Sequence, residues 1–209
     1  MKIAILGAGN VGRTLGRGLA GANHQILYAV REPGAPKYRE LADEGAELLT
    51  VRAAVERAEL VILATPWSAT RDALAGAGDL GGKPLLDATN PIGPGFALTH
   101  GHTDSGAEQV QRWAPSARVV KVFNTTGVEN MAKPVYPDGR VAMFICGDDD
   151  DACEAARSLC VDLGFAPVRV GGLARARVLE PAAMLWIKLA LVLGNGRGIG
   201  FGLLTRRNS

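Results

Sequence analysis

The sequence has little net charge and no long apolar run. Its 23 lysine and arginine residues nearly balance its 21 aspartate and glutamate residues, which leaves a net charge of +2. Because nucleic-acid partners are bound through a clear excess of basic residues, this composition gives no electrostatic support for one. The stretch nearest to a membrane span, residues 182–193, contains Lys188 and falls short of the roughly 20 residues that a spanning helix needs. We therefore expect neither a nucleic-acid nor a membrane partner.

Cysteine and histidine are also scarce. The three cysteines, Cys146, Cys153 and Cys160, cannot all form disulfides, and the first residues do not resemble a signal peptide. A cytoplasmic, reducing location is therefore the expectation. His100 and His102 form an H-x-H pair in a glycine-rich loop with no third ligand in view, so we predict solvated side chains rather than a metal site. No Ser-His-Asp or Cys-His arrangement is evident, and we name no catalytic acid, base or nucleophile.

A glycine-rich turn follows the first apolar run. Residues 3–6 read as a strand buried on both faces of a parallel sheet, and residues 13–19 read as a helix. Between them, Gly7, Gly9 and Gly12 have the G-x-G-x-x-G spacing of a dinucleotide-binding loop. Gly7 permits the tight turn, Gly9 lets the backbone approach a pyrophosphate, and Gly12 allows close helix–strand packing. A purely structural turn is the alternative. The predicted pyrophosphate site comprises Gly7, Gly9, Asn10, Val11 and Gly12.

The tip of the second predicted strand, residues 25–30, indicates which dinucleotide binds. This tip normally lies near the adenosine ribose, where sites specific for NAD place an acidic residue. Here Arg31 follows the strand, and its planar guanidinium suits adenine stacking and a 2′-phosphate. Lys37 is close enough in sequence to assist, so NADP is favoured. Two alternatives remain: Glu32 as a ribose acceptor, which would favour NAD, and Arg31 as a solvated surface charge.

Three polar clusters follow later predicted strands. Because the carboxyl ends of parallel strands meet at one edge of a sheet, these clusters are predicted to border the same site. Each alone is compatible with ordinary turn chemistry. Trp67 either packs on the nicotinamide side or caps the next helix. The predicted positioning residues are Thr65, Pro66 and Trp67 after strand 60–64, Asn90 and Pro91 after strand 84–88, and Asn124 and Thr125 after strand 118–123.

Strands and helices alternate along most of the chain, which predicts an α/β fold of the Rossmann type with a doubly wound, mostly parallel sheet. We expect residues 1–171 to form the dinucleotide-binding domain and residues 172–209 a helical C-terminal segment. The apolar face of this segment either covers the sheet or packs against a second subunit, and a homodimer is favoured. That predicted face comprises Leu179, Ala183, Trp186, Ile187, Ala190 and Leu191.

The ordered set of motifs resembles the family of NADP oxidoreductases that depend on the deazaflavin coenzyme F420. The family is related to the NADPH-binding domain of membrane metalloreductases. The similarity covers nearly all of the chain. Its motifs are GAGNVG at residues 7–12, VRE at 30–32, TPW at 65–67, TNP at 89–91, VKVFNT at 120–125, FICGDD at 144–149 and LEPAAMLW at 179–186.

This resemblance implies NADP(H), dimers and direct hydride transfer between the nicotinamide and a deazaflavin across a cleft. Such a reaction depends on proximity and orientation more than on acid–base side chains. The expected function is therefore an NADP-dependent oxidoreductase with coenzyme F420 as the second substrate. One alternative is an NADPH-dependent reductase of a flavin, quinone, imine or metal. Another is a regulatory protein that binds NADP(H) without turnover.

Overall fold

An eight-stranded sheet forms the centre of the computed structural model, which describes residues 1–206. Its strand order is β10-β9-β6-β5-β4-β1-β2-β3, and every neighbouring pair is parallel except β6 with β9. The remaining two strands, β7 and β8, form a separate antiparallel pair. The strands are β1 Lys2–Leu6, β2 Gln25–Val30, β3 Glu47–Thr50, β4 Leu60–Leu63, β5 Pro84–Asp87, β6 Arg118–Lys121, β7 Val135–Tyr136, β8 Gly139–Arg140, β9 Ala142–Gly147 and β10 Ala166–Arg169.

Helices cover both faces of this sheet. Successive side chains of β1 point to opposite faces, so Ile3 and Ile5 pack in a core with α1 and α7. Ala4 and Leu6 pack in a second core with α3, α4, α5 and α8. The predicted Rossmann-type fold is therefore confirmed. The helices are α1 Asn10–Gly21, α2 Arg39–Asp43, α3 Val51–Arg57, α4 Trp67–Ala77, α5 Gly106–Trp113, α6 Val128–Ala132, α7 Asp150–Asp162 and α8 Ala176–Ile187.

The chain changes direction across the sheet at β1. From β1 it passes to β2 and β3 on one side, and it then returns to build β4, β5 and β6 on the other side. The loops that leave the carboxyl ends of β1 and β4 therefore diverge, and a crevice opens between them. Ligands of open α/β sheets bind in such a crevice at the switch point.

Side chains cap the N-termini of α5 and α7. Ser105 is the N-cap residue of α5, and its hydroxyl accepts a hydrogen bond from the backbone of Glu108. The preceding residue, Asp104, accepts one from the Ser105 backbone. Asp149 is the N-cap residue of α7, and its side chain accepts a hydrogen bond from Ala152 N at 2.8 Å.

The C-terminal segment packs on its own chain. Helix α8 continues into a π-helical turn, Lys188–Val192, and the following tail lies against the fold. Trp186 Nε1 donates to the Ile199 carbonyl at 2.7 Å, and Ala142 N donates to the Phe201 carbonyl at 2.8 Å. Four members of the predicted apolar face are buried there: Leu179, Ala183, Trp186 and Ala190. The domain boundary after residue 171 stays a prediction.

Candidate functional site

A cleft of about 590 Å³ opens at the switch point, between the carboxyl ends of β1, β2 and β4. Its position is the one that the sheet topology predicts for a ligand. Six of the predicted site residues line it together, although they come from three separate segments of the chain. They are Gly7, Gly9, Arg31, Lys37, Thr65 and Pro66.

The three glycines have distinct geometries. Gly7 has φ +106°, and a Cβ there would lie 2.6 Å from the Ala64 carbonyl oxygen, so the turn and its contact with the next strand both require glycine. A Cβ on Gly12 would collide with the Gly7 carbonyl oxygen. No atom lies within 4 Å of a Cβ built on Gly9, which faces the open cleft. The close helix–strand packing predicted at Gly12 is thus present, and Gly9 leaves its side of the cleft open.

Helix α1 begins at the edge of the cleft. Among the described residues, no side chain caps its N-terminus. The first-turn N–H groups therefore keep the partial positive charge of a helix end, which favours an anion. The side chains of Asn10 and Val11 do not line the cleft: Asn10 is exposed, and Val11 packs partly against the core. What these two residues offer to a ligand is backbone N–H groups.

Two basic side chains from the segment after β2 line the cleft. Arg31 is 74% exposed, and its Nη2 lies 4.0 Å from Asp72 Oδ2 on α4. The Lys37 ammonium lies 5.0 Å from the centre of the Tyr38 ring. Both basic residues line the cleft, as does Asp72. Glu32, the alternative ribose acceptor, does not line it, so the acidic residue at this end comes from α4 instead.

Arg13 is a cleft residue that the sequence did not reveal. It lies on α1, half-buried, with Nε donating to the Ala8 carbonyl at 2.9 Å and Nη2 donating to the Lys37 carbonyl at 3.2 Å. Its side chain therefore ties the glycine loop to the segment after β2. An arginine directly after the last glycine of the loop was the available signal, since that position lies in the first turn of the helix.

The segment after β4 divides between two surroundings. Thr65 and Pro66 line the cleft, and Thr65 Oγ1 lies 3.0 Å from Thr70 Oγ1. Trp67 begins α4 and does not line the cleft. Its ring packs against Trp113 at 5.3 Å and against His100 at 5.5 Å between centroids. Trp67 is thus the first residue of α4, with Pro66 as the N-cap, and its packing on the nicotinamide side stays a prediction.

A second polar group lies at the ends of β5 and β6, outside the residues that line the cleft. Asn90 Nδ2 donates to the Asn124 carbonyl at 2.9 Å, and Asn124 Nδ2 donates to Asn90 Oδ1 at 3.0 Å. Asn124 Nδ2 also donates to the Leu179 carbonyl of α8 at 3.2 Å. Pro91 is buried, and its carbonyl accepts from the backbone and hydroxyl of Thr99. Two clusters predicted at separate strand ends are therefore joined directly.

Two buried oxygens in this group have no hydrogen-bond partner among the described residues. They are Asn124 Oδ1 and Thr125 Oγ1, on side chains that are 4% and 2% exposed. Buried polar atoms nearly always have a hydrogen-bond partner. After the end of β6, the described residues leave these two oxygens without one.

Three fully buried charged residues lie beneath these asparagines. The Lys121 ammonium donates to Asp87 Oδ2 at 2.7 Å, lies 3.0 Å from Glu180 Oε1 and donates to the Thr89 carbonyl at 2.7 Å. Burial alone would lower the pKa of Lys121, but the two carboxylates outweigh it and raise that pKa. We call Asp87, Lys121 and Glu180 the buried triad. The sequence signal was a charged residue ending each of two apolar strands, PLLD and RVVK.

The cysteines are buried and unpaired with one another in the structure. Burial raises the pKa of the Cys146 thiol to about 12 and that of the Cys160 thiol as well, which disfavours the reactive thiolate.

Within residues 1–206, no three His, Cys, Asp or Glu side chains are arranged to hold a metal ion. The helices in the same range are all too short or too polar to cross a membrane.

Comparison with known proteins assigns the family. Residues 2–91 match the family described as NADP oxidoreductase, coenzyme F420-dependent. A solved structure from Arthrobacter sp. FB24, of a protein proposed to be an F420-dependent NADP reductase, is 33% identical. The aligned region covers 98% of this chain and 100% of that one, with a TM-score of 0.90. This chain belongs to the F420-dependent NADP oxidoreductase family.

Two further relatives extend the comparison. A structure of a hypothetical protein from Sinorhizobium meliloti is 31% identical, covers 83% of this chain and 86% of that one, and has a TM-score of 0.74. Metalloreductase STEAP3 of Rattus norvegicus is 29% identical over 180 residues, which is 86% of this chain and 36% of that protein. The chain thus spans between a third and a half of the length of the curated relatives that it matches. The predicted family and the NADP-linked oxidoreductase class are confirmed.

Proposed function

We propose that this protein transfers a hydride directly between NADP(H) and coenzyme F420. The observation that carries the proposal is the combination, in one cleft, of a glycine turn, an uncapped helix N-terminus and basic residues from the segment after β2. A pyrophosphate fits the first two features, and a 2′-phosphate fits the third. The family membership supports the choice of NADP and of the deazaflavin.

The dinucleotide then lies along the carboxyl edge of the sheet. Its pyrophosphate contacts the backbone at Gly9, Asn10 and Val11, beside the close packing at Gly7 and Gly12. The adenosine end reaches Arg31 and Lys37. Thr65 and Pro66 line the middle of the path, which continues toward Asn90 and Asn124 at the ends of β5 and β6.

The nicotinamide supplies the hydride, and the chain's own task is to orient and shield it. The two partnerless oxygens, on Asn124 and Thr125, support placing this half of the dinucleotide beside the end of β6. Both oxygens are buried in the present structure. No side chain is assigned as an acid or base, because direct hydride transfer depends on proximity and orientation.

Absorbance spectroscopy tests this proposal. The protein is mixed with NADPH and oxidised F420, and loss of NADPH absorbance together with reduction of the deazaflavin is expected. Parallel reactions contain a flavin, a quinone, an imine or a ferric complex in place of F420. Turnover with one of those alone would replace F420 as the acceptor, whereas tight NADPH binding with no turnover would favour the regulatory alternative.

We also propose a homodimer formed through exposed apolar residues of the C-terminal segment. Leu185 is 53% exposed and Val192 is 66% exposed, although Leu179, Ala183, Trp186 and Ala190 are buried against the same chain. Large exposed apolar side chains close together are typical of a protein interface. Light scattering coupled to gel filtration should show a dimer that Leu185→Glu with Val192→Glu converts to a monomer. Val161→Glu, at an exposed valine of α7, serves as the control and should leave the dimer intact. The cytoplasmic location stays a prediction.

A further inference from the structure

We propose that the buried triad of Asp87, Lys121 and Glu180 is a positioning device for the nicotinamide half of the site. In this proposal the triad fixes the Asn90–Asn124 pair at the carboxyl ends of β5 and β6. The inference rests on the proposed function, because it assumes that a dinucleotide extends from the cleft toward these asparagines. No member of the triad touches the ligand.

The first arm of the device runs from Asp87 to Asn90. Asp87 Oδ1 accepts hydrogen bonds from the backbone of Thr89 at 2.9 Å and from its hydroxyl at 2.7 Å. The Thr89 carbonyl accepts from Lys121 at 2.7 Å. Three polar groups of Thr89 are therefore held by triad members. Asn90 is the next residue, so the position of its backbone is set by the fixed position of Thr89.

The second arm runs from Glu180 to Asn124. Glu180 Oε2 accepts from Gly106 N at 2.8 Å, and Oε1 accepts from Ala107 N at 3.0 Å, so this carboxylate joins α8 to the N-terminus of α5. The preceding residue, Leu179, offers its carbonyl to the Asn124 side chain. By fixing the position of α8, Glu180 therefore also fixes the Leu179 carbonyl, which accepts a hydrogen bond from Asn124.

Several contacts fix the orientation of the Asn124 side chain. Its amide nitrogen donates to both Asn90 Oδ1 and the Leu179 carbonyl, so both N–H groups are used and Oδ1 remains as an unused acceptor. The residue before it, Phe123, is fully buried with φ +64°, a conformation that non-glycine residues rarely adopt. Such backbone strain persists where surrounding contacts enforce it.

The chemistry of the triad suits rigidity more than stability. All three N–H groups of the Lys121 ammonium have an acceptor at 2.7, 2.7 or 3.0 Å, and the side chain is fully buried. Replacing a buried charge cluster with uncharged groups of similar volume often leaves a fold as stable as before. What the charges add here is a set of directional contacts that converge on two strand ends and two helices.

Calorimetry with two ligands tests the proposal. Adenosine 2′,5′-bisphosphate reports on the adenosine end of the cleft, and NADPH reports on both ends. The main variant is Asp87→Asn with Lys121→Met and Glu180→Gln, which removes every charge while keeping the side-chain sizes close. Leu159→Ala, at a buried core position of α7, is the control for a general loss of stability.

We expect the triple variant to bind the bisphosphate within about twofold of wild type and NADPH at least about tenfold more weakly. Leu159→Ala should change the affinity for neither ligand. Equal losses for both ligands in the triple variant, or no loss for either, would overturn the positioning role. The wild type is measured first. If it binds NADPH no more tightly than the bisphosphate, the proposed function fails as well, before any variant is made.

A ligand-free measurement covers the case in which the triple variant folds poorly. Asp87→Asn alone keeps the acceptor for Thr89 and removes one charge. Hydrogen exchange of the Asn90 and Asn124 side-chain amides, followed by nuclear magnetic resonance, should be slow in the wild type and at least about tenfold faster in this variant. Unchanged exchange together with unchanged NADPH affinity would overturn the proposal.

Discussion

Arg31 and Asp72 face each other at the mouth of the cleft, with 4.0 Å between the guanidinium Nη2 and the carboxylate Oδ2. One side chain follows β2 and the other lies on α4, and both are largely exposed. A phosphate that binds Arg31 takes the place of this carboxylate or lies beside it. The two residues therefore have opposite effects on a 2′-phosphate, and they can be tested separately.

Replacing Arg31 with alanine should weaken NADPH binding much more than NADH binding. A hydrogen bond between charged groups contributes about 1.5–3 kcal/mol, so the dissociation constant for NADPH should rise about 10-fold to 100-fold. Fluorescence titration with both dinucleotides measures the difference. Arg71→Ala removes the same charge next to Asp72 and should have little effect. Equal losses for NADPH and NADH in Arg31→Ala would remove the 2′-phosphate role.

Replacing Asp72 with asparagine should strengthen NADPH binding and leave NADH binding the same or weaker. The change removes a negative charge that competes for Arg31 and repels the phosphate. Because both side chains are exposed, the gain is expected to be about 0.5–1 kcal/mol, or roughly two-fold to five-fold. The gain should shrink as salt is added, since exposed charges are screened. A gain that is the same for NADPH and NADH would point to a cause other than the phosphate.

Gly9 and Gly12 should respond differently to the same substitution. Gly9→Val places a side chain in open space, so the thermal midpoint should change little while NADPH affinity is lost. Gly12→Val forces a side chain against the Gly7 carbonyl and should destabilise the fold itself. Thermal unfolding and titration of both variants measure the contrast. Undiminished affinity in Gly9→Val would remove the pyrophosphate contact from the proposed site.

The ion pair between Glu108 and Arg177 should make the docking of α8 on α5 sensitive to acid. Arg177 Nη2 lies 2.6 Å from Glu108 Oε1, and its hydrogen bonds lower the pKa of Glu108 from the ordinary value of 4.5. A lowered pKa means that the stabilisation is present above pH 4.5 and is lost as the pH falls through the folded-state pKa. Glu108→Gln should therefore lower the free energy of unfolding near pH 7 by about 0.5 kcal/mol.

Denaturant titrations at pH 7 and pH 3.5 measure this effect. The difference between wild type and Glu108→Gln should shrink at the lower pH, because protonation of the wild-type carboxylate increases as the pH falls below 4.5 toward its lowered pKa. Glu154→Gln, in an exposed pair with Arg157 on α7, is the control and should matter little at either pH. A difference that grew on acidification would contradict the assigned sign.

Local sequence patterns were sufficient to predict most of the sheet and one end of the site. The apolar run before Gly7 and the glycine spacing predict β1, its turn and α1, because these features depend on neighbours within a dozen residues. The strand at residues 25–30 was predicted with its observed limits, and Arg31 lines the cleft as its position at the strand end implied. Asp72 was missed because it reaches the cleft from α4, far along the chain.

The other end of the site depends on contacts that no local pattern encodes. Asn90 and Asn124 were predicted to border the same site, but their direct hydrogen bond, across 34 residues of chain, was not. Lys121 and Glu180, 59 positions apart in the sequence, meet at 3.0 Å in the core. A buried charge is tolerated only when its partners surround it, and those partners come from separate elements. The strand pattern thus establishes the Rossmann-type fold and the glycine turn, whereas packing alone brings the buried triad beneath the two asparagines.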